Sequence, residues 1–214
     1  SARKNFRNDI YEDYKANRSD APDDLIPQFE YIRKSVEAFN IPAVEMINYE
    51  ADDLIATYSK QITKLGSDVT IVSSDKDLMQ LHDKNVRIYD PMKNKFIKKE
   101  DIIAKFGVTS DRVIDVQSLA GDSSDNVPGV PGIGVKTAAE LINKFGSLEE
   151  LLKNAETIKQ NKRRETIIEN KDKALISKKL VTLKNDVPVK YKLDDFLLKE
   201  IDKKKLFNFL RDME

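Results

Sequence analysis

The first half of the chain alternates between apolar residues at helical spacing and short unbroken apolar runs. Residues 25–39 carry apolar side chains three and four positions apart, which predicts a helix capped by Asp23 or Asp24. A second helix is predicted to begin at Glu50 and to end at Gly66, because its apolar residues also share one face. Both stretches are typical of amphipathic helices that cover a core.

Three short runs beside these helices have the pattern of strands. Residues 43–47, 68–72 and 86–89 are apolar and partly β-branched, and the second run has the continuous apolar character of a buried strand. A short helix through Leu78 and Leu81 is predicted between the last two strands. Alternating strands and helices indicate an α/β fold with a mainly parallel central sheet flanked by helices.

The second half of the chain has the pattern of a helical subdomain. From Lys99 onward helical patterns follow one another, and a further strand is predicted at residues 187–189. We therefore expect residues 1–98 to form an α/β core with a basic segment at residues 1–20, and residues 99–214 to form the helical subdomain. The helices predicted in it cover residues 100–106, 110–120, 135–145, 147–153, 163–169 and 172–183.

Composition excludes several kinds of site. The 214 residues include no cysteine and a single histidine, His82, so neither a disulfide framework nor a zinc site with several histidines can form within the chain. The charges of the 37 basic and 37 acidic residues cancel. The net charge therefore does not indicate what kind of molecule the protein binds, and the distribution of charge along the chain matters more. No apolar stretch is long enough to span a bilayer, and no signal peptide is visible. We expect a cytoplasmic protein without a membrane partner.

Seven acidic residues fall in three short clusters. Each cluster alone has an ordinary explanation, because acidic residues favour helix starts and turns. Together they indicate a metal site, since clustered carboxylates repel one another unless cations neutralise them, and Mg²⁺ or Mn²⁺ prefers oxygen ligands. Two such ions can activate a water and stabilise the leaving oxygen of a phosphodiester. The candidate ligands are Glu50, Asp52, Asp53, Asp75, Asp77, Asp122 and Asp125.

A glycine-rich turn follows the last acidic cluster. Residues 127–146 have the pattern of a helix–hairpin–helix element, in which glycines allow positive φ and leave backbone N–H groups open to a phosphate. The dipole of the helix that begins near Val135 would assist, and such binding does not depend on base sequence. A tight turn between packed helices is the alternative. The candidate DNA-binding residues here are Gly129, Gly132, Gly134, Lys136 and Thr137.

Four stretches spread over most of the chain form a combined motif. They are Phe6-Arg7 through Tyr14-Lys15-Ala16-Asn17-Arg18, Tyr49-Glu50-Ala51-Asp52-Asp53, Ser74-Asp75-Lys76-Asp77-Leu78, and Gly121-Asp122-Ser123-Ser124-Asp125-Asn126 before the glycine turn. With them the chain resembles the 5′ nuclease domain of bacterial DNA polymerase I, which is related to the flap endonucleases. The resemblance implies a structure-selective 5′-3′ exonuclease and flap endonuclease of replication and repair, located at the nucleoid. The implied partners are DNA with 5′ flaps, nicks or ends, RNA primers on DNA, and a covalently linked polymerase.

The resemblance also implies roles for individual residues. All seven acidic residues match the family's metal-site carboxylates. Lys15 and Arg18 match basic residues on the family's arch, through which the 5′ strand passes, and Lys15 would stabilise charge at the scissile phosphate. Arg7 and Tyr14 match residues near the threaded strand. The glycine turn matches a helix–three-turn–helix element that grips the duplex and often holds a potassium ion.

The chain departs from the family pattern at its beginning. The family starts with a strand that ends in an Asp-Gly step, and a second aspartate precedes the Phe-Arg stretch, so both aspartates would lie upstream of Ser1. We therefore expect residues 1–214 alone to bind metal weakly and to cleave slowly or not at all. One alternative is a DNA-binding module without catalysis. Another is a related ribonuclease, which the glycine turn disfavours because that element suits duplex DNA.

Overall fold

The computed structural model describes residues 4–213, which form two compact units. The first unit contains the residues up to Arg18 together with Ile47–Val187, and the second contains Ser19–Met46 together with the residues from Pro188 onward. Each unit is therefore built from two separate stretches of sequence. The expected division between residues 98 and 99 stays a prediction, and the segment Ile47–Val187 runs through it.

About half of the described residues are helical. The α-helices are α1 (Phe6–Ile10), α2 (Gln28–Ala38), α3 (Ala51–Lys64), α4 (Lys99–Phe106), α5 (Val113–Ala120), α6 (Val135–Phe145), α7 (Leu148–Lys153), α8 (Asn161–Glu169), α9 (Lys171–Val181) and α10 (Lys203–Asp212). Short 3₁₀ helices cover Asp77–Leu81, Ser110–Arg112, Ala155–Thr157 and Leu193–Phe196. The strands are β1 (Val69–Val72), β2 (Val86–Asp90) and β3 (Lys95–Ile97). Among the residues described, none of these helices has the length and apolar character needed to cross a membrane.

A three-stranded sheet lies in the first unit, in the order β1–β2–β3. β1 and β2 are parallel, with Ile71 opposite Ile88, and both side chains are buried. Because side chains alternate along a strand, this register directs one face of the parallel pair into the core. The strands predicted at residues 68–72 and 86–89 are confirmed as β1 and β2.

The third strand was not predicted from the sequence. β3 pairs antiparallel with β2, and Ile97 lies opposite Ile88. The carboxylate of Asp90 accepts hydrogen bonds from the N–H groups of Met92 and Lys93, which stabilises the turn between the two strands. An aspartate followed by proline marks such a turn, and this signal was available in the sequence.

Two predicted strands are absent from the described structure. Residues 43–47 and 187–189 are irregular. Pro188 lacks the N–H group that a ladder requires, which weighs against a strand there. Residues 43–47 alternate between exposed and half-buried positions, so their apolar character does not come from a buried strand.

The core of the first unit is centred on α5. Val113, Val116 and Leu119 are fully buried on this helix, which packs against α6, α7 and α9. Ile142 of α6 and Leu151 of α7 are buried in the same cluster. The helices predicted in this half are confirmed as α4 to α9, with ends that shift by no more than two residues, except that the first turn before α5 is a 3₁₀ helix.

The second unit contains α2 and α10, which pack against each other. α2 begins at Gln28 rather than at the predicted caps Asp23 and Asp24. Pro27 explains the later start, because proline has no N–H to donate within a helix and is tolerated only in the first turn. α10 was not predicted, although the side chain of Asp202 caps it by accepting hydrogen bonds from two backbone N–H groups.

Candidate active site

Acidic residues from three distant segments line one pocket of the first unit, beyond the carboxyl end of β1. Glu50 and Asp52 lie at the start of α3, Asp77 lies at the start of the 3₁₀ helix after β1, and Asp122 and Asp125 lie in the loop after α5. Short connections after β1 and α5 therefore bring side chains distant in sequence to one place. The other lining residues are Arg7, Tyr14, Val127, Leu180, Val181 and Leu183.

Asp52, Asp75 and Asp77 concentrate negative charge at this pocket, and no ion pair joins them to a basic side chain within residues 4–213. Burial, and then repulsion from Asp75, Glu50 and Asp77, raises the pKa of Asp52 to about 6. Burial also raises the pKa of Asp77, although the Nε2 group of Gln117 donates a hydrogen bond to its Oδ1 at 2.7 Å. Asp75 is exposed and does not line the pocket, but its Oδ1 accepts from the N–H of Asp77 at 2.9 Å.

Two basic side chains from the segment after α1 contact the other carboxylates. The Nζ of Lys15 lies 2.5 Å from Glu50 Oε1 and 3.4 Å from Asp125 Oδ2, and Nη2 of Arg18 lies 2.5 Å from Asp125 Oδ1. The N–H of Lys15 also donates to the carbonyl of Asp125 at 2.9 Å, with Lys15 in the left-handed region at φ 59°. Backbone and side-chain contacts together therefore join this basic segment to the acidic loop.

A third basic side chain comes from within an acidic motif. Lys76 lies between two aspartates in sequence, yet its Nζ lies 2.5 Å from Oδ2 of Asp122. Against the effect of burial, this contact holds the pKa of Asp122 below its usual value. Clustered carboxylates alone predict neutralisation by bound metal ions, whereas lysine and arginine side chains of the chain itself neutralise part of this cluster.

The structure contradicts two predicted roles, metal binding by Asp53 and DNA contact by Arg7. The two residues are 0% and 1% exposed, and the Arg7 guanidinium donates to both Asp53 oxygens at 2.8 and 2.7 Å. Asp53 also accepts from the N–H groups of Glu50 and Lys184, and Arg7 donates to the carbonyl of Leu180. Although burial opposes both charges, the pair lowers the pKa of Asp53 and raises that of Arg7. The pair therefore joins α1, α3 and the end of α9.

Tyr14 lies beneath the pocket rather than on the path of a bound strand. The side chain is buried, and its hydroxyl lies 3.3 Å from Asp125 Oδ2 and 3.4 Å from Glu50 Oε2. Burial, followed by the charge of Glu50, raises the pKa of Tyr14, so the phenol keeps its proton and donates to these carboxylates. The predicted contact with DNA does not fit a buried side chain that links two acidic residues.

The chemistry of the donor set fits a hard divalent cation. Asp52, Asp75 and Asp77 offer carboxylate oxygens that form no ion pair with the described basic side chains, and oxygen is the ligand that Mg²⁺ and Mn²⁺ prefer. In residues 4–213, however, no three acidic or histidine side chains come close enough together to hold a metal ion. Binding of two such ions stays a prediction.

The glycine turn between α5 and α6 is anchored by apolar side chains. Val130 and Ile133 are buried, and the N–H of Val130 donates to the carbonyl of Leu119 at 2.7 Å. Gly129 belongs to this anchored part, since it is buried and its N–H donates to Ser177 Oγ at 2.9 Å. Its predicted contact with a phosphate is therefore contradicted, because the N–H group that would make it is already bonded.

The second half of the turn has the opposite character. Gly132 and Gly134 are exposed, and open space surrounds the position that a Cβ would take at each. Gly132 has a φ of 75°, and Gly134 begins α6 without a side-chain cap. Lys136 is exposed and Thr137 is half-buried in the first turn of that helix. These four predicted residues lie together around an uncapped helix start.

Three residues that contact the acidic cluster were not assigned a role from the sequence. Lys76 could have been found, because it interrupts an acidic motif. Asn5 donates to Glu50 Oε1 across 45 positions of sequence, and Gln117 donates to Asp77 across 40. Neither of these two lies in a recognisable motif, so no local pattern indicated them.

Two family models together match almost the whole chain. One describes the N-terminal resolvase-like domain of 5′-3′ exonucleases and matches residues 1–107, and the other describes their C-terminal SAM fold and matches residues 108–204. The chain belongs to the 5′-3′ exonuclease family. The resemblance drawn from the four motif stretches is confirmed.

Curated relatives of this 5′-3′ exonuclease family member have two different lengths. The 5′-3′ exonuclease of Buchnera aphidicola is 38% identical over 218 residues, which cover 99% of this chain and 76% of that protein. DNA polymerase I of Rhizobium leguminosarum is 54% identical over 211 residues, which cover 99% of this chain but 21% of that protein. The chain thus spans about a fifth of the length of that polymerase.

Solved structures share the fold. The T5 D15 protein co-crystallised with metal ions has a TM-score of 0.74 at 24% identity, over 98% of this chain and 79% of that one. The catalytic core of Rad2 in complex with a DNA substrate has a TM-score of 0.59 at 18% identity, over 96% of this chain and 70% of that one. The fold class is thereby confirmed as an α/β core with a helical subdomain.

Proposed function

We propose that this member of the 5′-3′ exonuclease family is a structure-selective 5′ nuclease, which hydrolyses DNA phosphodiesters at 5′ ends and flaps. The observation that carries the proposal is the convergence of Glu50, Asp52, Asp77, Asp122 and Asp125, from three separate segments, in one pocket. The carboxylates that no basic side chain neutralises cost stability unless the site uses their charge.

Divalent cations would be held first by the carboxylates that have no basic partner. Asp52, Asp75 and Asp77 are these residues, and Glu50, Asp122 and Asp125 would complete the ligand set. When bound, Mg²⁺ or Mn²⁺ supplies activation of a water molecule and stabilisation of the leaving oxygen. Asp53 is excluded from this set because Arg7 occupies both of its oxygens.

Lys15 and Arg18 are proposed to contact the phosphates of the strand that is cut. The side chain of Arg18 is 57% exposed and that of Lys15 is 20% exposed, so both reach solvent beside the pocket. Their charge would stabilise negative charge that develops on the scissile phosphate. Tyr14 and Arg7 lie behind these residues and hold the segment that carries them.

The exposed half of the glycine turn is proposed to grip the duplex. Gly132 and Gly134 leave room for a phosphate to approach the backbone, and the first N–H groups of α6 have no side-chain cap. Lys136 and Thr137 would add side-chain contacts that do not depend on base sequence. A potassium ion bound by backbone carbonyls of the same turn is part of this proposal.

The names of the relatives support the choice of partner. One solved neighbour is described as a T5 D15 flap endonuclease in complex with DNA and metal ions, and another as a Rad2 core with a DNA substrate. Relatives named DNA polymerase I carry a matching region within a longer protein. We extend these properties to this chain as a proposal: DNA with flaps, nicks or 5′ ends and RNA primers as substrates, a polymerase in the same polypeptide, and replication and repair at the nucleoid as the setting.

Cleavage of a flap substrate tests the catalytic half of the proposal. Residues 1–214 should cut a labelled 5′ flap measurably, although slowly, in Mg²⁺ or Mn²⁺, and Asp75→Asn or Asp122→Asn should lower that rate by at least about 10–100-fold. Asp68→Asn is the matched control, because Asp68 is exposed at the opposite end of β1 and should cut like the parent. A parent that binds the flap in Ca²⁺ but cuts it in neither metal would favour the alternative function, a DNA-binding module.

Duplex affinity tests the role of the turn. Gly132→Val should weaken binding to a nicked duplex, because the side chain fills the space in which a phosphate would lie. Gly66→Val is the matched control, since Gly66 also has positive φ, at 82°, and open space around it, but follows α3. Equal affinities for the two variants would refute the proposed grip.

A further inference from the structure

Gln117 of α5 has the single buried side-chain polar atom that lacks a hydrogen-bond partner in the part of the chain described. The residue is 3% exposed, its Nε2 donates to Asp77 Oδ1 at 2.7 Å, and its Oε1 accepts no hydrogen bond. An ionised carboxylate can only accept, so this contact fixes the amide with its nitrogen toward Asp77. One half of the amide is thus bonded, and the other half is left without a partner.

The unpartnered amide oxygen of Gln117 costs stability at this position. A buried amide oxygen without a partner loses its hydration and gains nothing in return, so an apolar side chain of the same length would be favoured there. The adjacent Ser118 shows the usual solution, because its hydroxyl is fully buried and donates to the carbonyl of Ile114. The contact with Asp77 is what an apolar residue could not supply.

Asp77 is held differently from three of its neighbours in the pocket. Glu50, Asp122 and Asp125 are each paired with a basic side chain, which cancels much of their charge. The amide of Gln117 has no net charge, so it orients the Asp77 carboxylate and leaves that carboxylate negative. A carboxylate that is fixed but not neutralised is the form that binds a cation best.

We propose that Gln117 is a positioning residue for a divalent-cation ligand, in which its amide sets the orientation of the Asp77 carboxylate without neutralising it. This inference rests on the proposed function, because it assumes that Asp77 faces a cation.

Metal binding without DNA tests the inference. Mn²⁺ is titrated into residues 1–214 and into Gln117→Met, with binding followed by calorimetry or electron paramagnetic resonance. Methionine keeps the length and flexibility of the side chain and removes both polar atoms. We expect the affinity for Mn²⁺ to fall roughly 10–100-fold, while the thermal midpoint in EDTA changes little, because losing the hydrogen bond to Asp77 and removing the unpartnered oxygen have opposite effects on stability.

Ser118→Ala is the matched control and should keep the parent affinity, because it removes a buried polar atom of the same helix that does not contact a carboxylate. If Gln117→Met does not fold, Gln117→Leu gives the same comparison. A folded variant with parent affinity for Mn²⁺ overturns the inference. A lower thermal midpoint with unchanged affinity does so too, since that is the result of a packing role.

The two proposals fail in different ways. A parent that binds Mn²⁺ but cleaves no DNA contradicts the proposed function, while a loss of Mn²⁺ affinity in Gln117→Met still supports the positioning role. If the parent cleaves DNA and Gln117→Met binds Mn²⁺ with the affinity of the parent, the proposed function is supported and the positioning role of Gln117 is overturned. A parent that neither binds Mn²⁺ nor cleaves overturns both.

Discussion

Asp52 and Asp53 are adjacent on α3, but their carboxylates have different environments. Successive helical residues point about 100° apart, so Asp53 faces the interior and pairs with Arg7, while Asp52 lines the acidic pocket. The sequence places both residues in the same motif and gives no reason to separate them. Arg7 lies 46 positions away from its partner, so the pair becomes visible only in the folded chain.

Arg7→Met should destabilise the protein strongly. The change leaves Asp53 as a buried charge without its partner, which costs about 3–5 kcal/mol in comparable cases. The free energy of unfolding in urea measures this. Arg163→Met is the control, because Arg163 forms a longer ion pair of 3.9 Å with the more exposed Glu140, and such pairs contribute about 0–1 kcal/mol. Equal losses in the two variants would contradict the role given to the buried pair.

Asp52→Asn should stabilise the metal-free protein at neutral pH. The pKa of Asp52 is about 6 in the folded protein against a usual value of 3.8, so the folded state holds this proton more tightly than the unfolded chain does. Its ionisation therefore costs stability as pH rises from 3.8 to about 6, and the cost persists above that range. We expect a gain on the order of 2 kcal/mol at pH 8 that disappears toward pH 4.

Urea unfolding in EDTA across this pH range measures the effect of Asp52→Asn. Repeating the series in 1 M salt provides the control, because screening weakens repulsion among the carboxylates and leaves mainly the contribution of burial. If the difference in unfolding free energy between parent and variant does not change with pH, ionisation of Asp52 does not destabilise the folded protein.

At the scale of elements, the glycine turn divides into an anchored and an exposed part. Gly129 has no room for a side chain, since a Cβ there would lie 2.4 Å from the backbone nitrogen of Gly121. Gly132 has the same left-handed backbone but open space around it. Glycine spacing alone predicts that both residues need positive φ, but it does not indicate which of them faces solvent.

Gly129→Ala should therefore cost more stability than Gly132→Ala. Both changes place a side chain on a left-handed residue, which costs roughly 1–2 kcal/mol. Gly129→Ala adds a clash with the backbone of α5, and that backbone cannot move aside without disturbing the core. Urea unfolding of the two variants gives the comparison. Equal midpoints would mean that both halves of the turn accommodate a side chain equally well.

Helices with apolar residues at regular spacing could be predicted from the sequence, whether they cover the core, as α3 to α9 do, or lie in the second unit, as α2 does. In α3 to α9 the apolar residues recur at helical spacing because that face is buried, so the predicted helices agree with the observed ones. α1 has five residues, too few for a periodic pattern to be recognised. α10 was missed although Leu206, Phe209 and Leu210 have helical spacing and Asp202 provides a cap, so its pattern was available in the sequence.

At the scale of the whole molecule, the two units differ in how well they bury apolar side chains. In the second unit α2 contains one buried residue, Ala38, and α10 contains none. In the first unit α5 carries Val113, Val116 and Leu119 fully buried. Regions with few buried contacts open at a lower free energy than a packed core.

Amide hydrogen exchange should reflect this difference. We expect the amides of α2 and α10 to exchange well before those of α5 and α6, because opening the second unit exposes little apolar surface that is not already exposed. Mass spectrometry of peptides from each helix measures the rates. Lys99 and Glu100, which are exposed at the start of α4, serve as a reference for fraying within the first unit. Similar protection of all helices would contradict the difference in burial.

The composition of the candidate site was accessible from sequence, but its internal pairing was not. Acidic clusters at helix starts and strand ends predicted convergence, because such ends meet in an α/β fold. The pairing of Lys76 with Asp122 depends on the path of the loop after α5, which no spacing rule gives. For the same reason the sequence could not show that Asp53 and Gly129 are occupied by other contacts.

The ion pairs of Lys15, Arg18 and Lys76 have a consequence for any divalent ion that enters the pocket. Such an ion would displace ammonium and guanidinium groups that are paired with the carboxylates, and each displaced side chain would move toward solvent. A phosphate group that reached the pocket could then bind the lysine and arginine side chains that the metal ion had displaced. Loading of metal and capture of a nucleic-acid strand would reinforce each other by thermodynamic reciprocity, so titrations with either alone would understate both affinities.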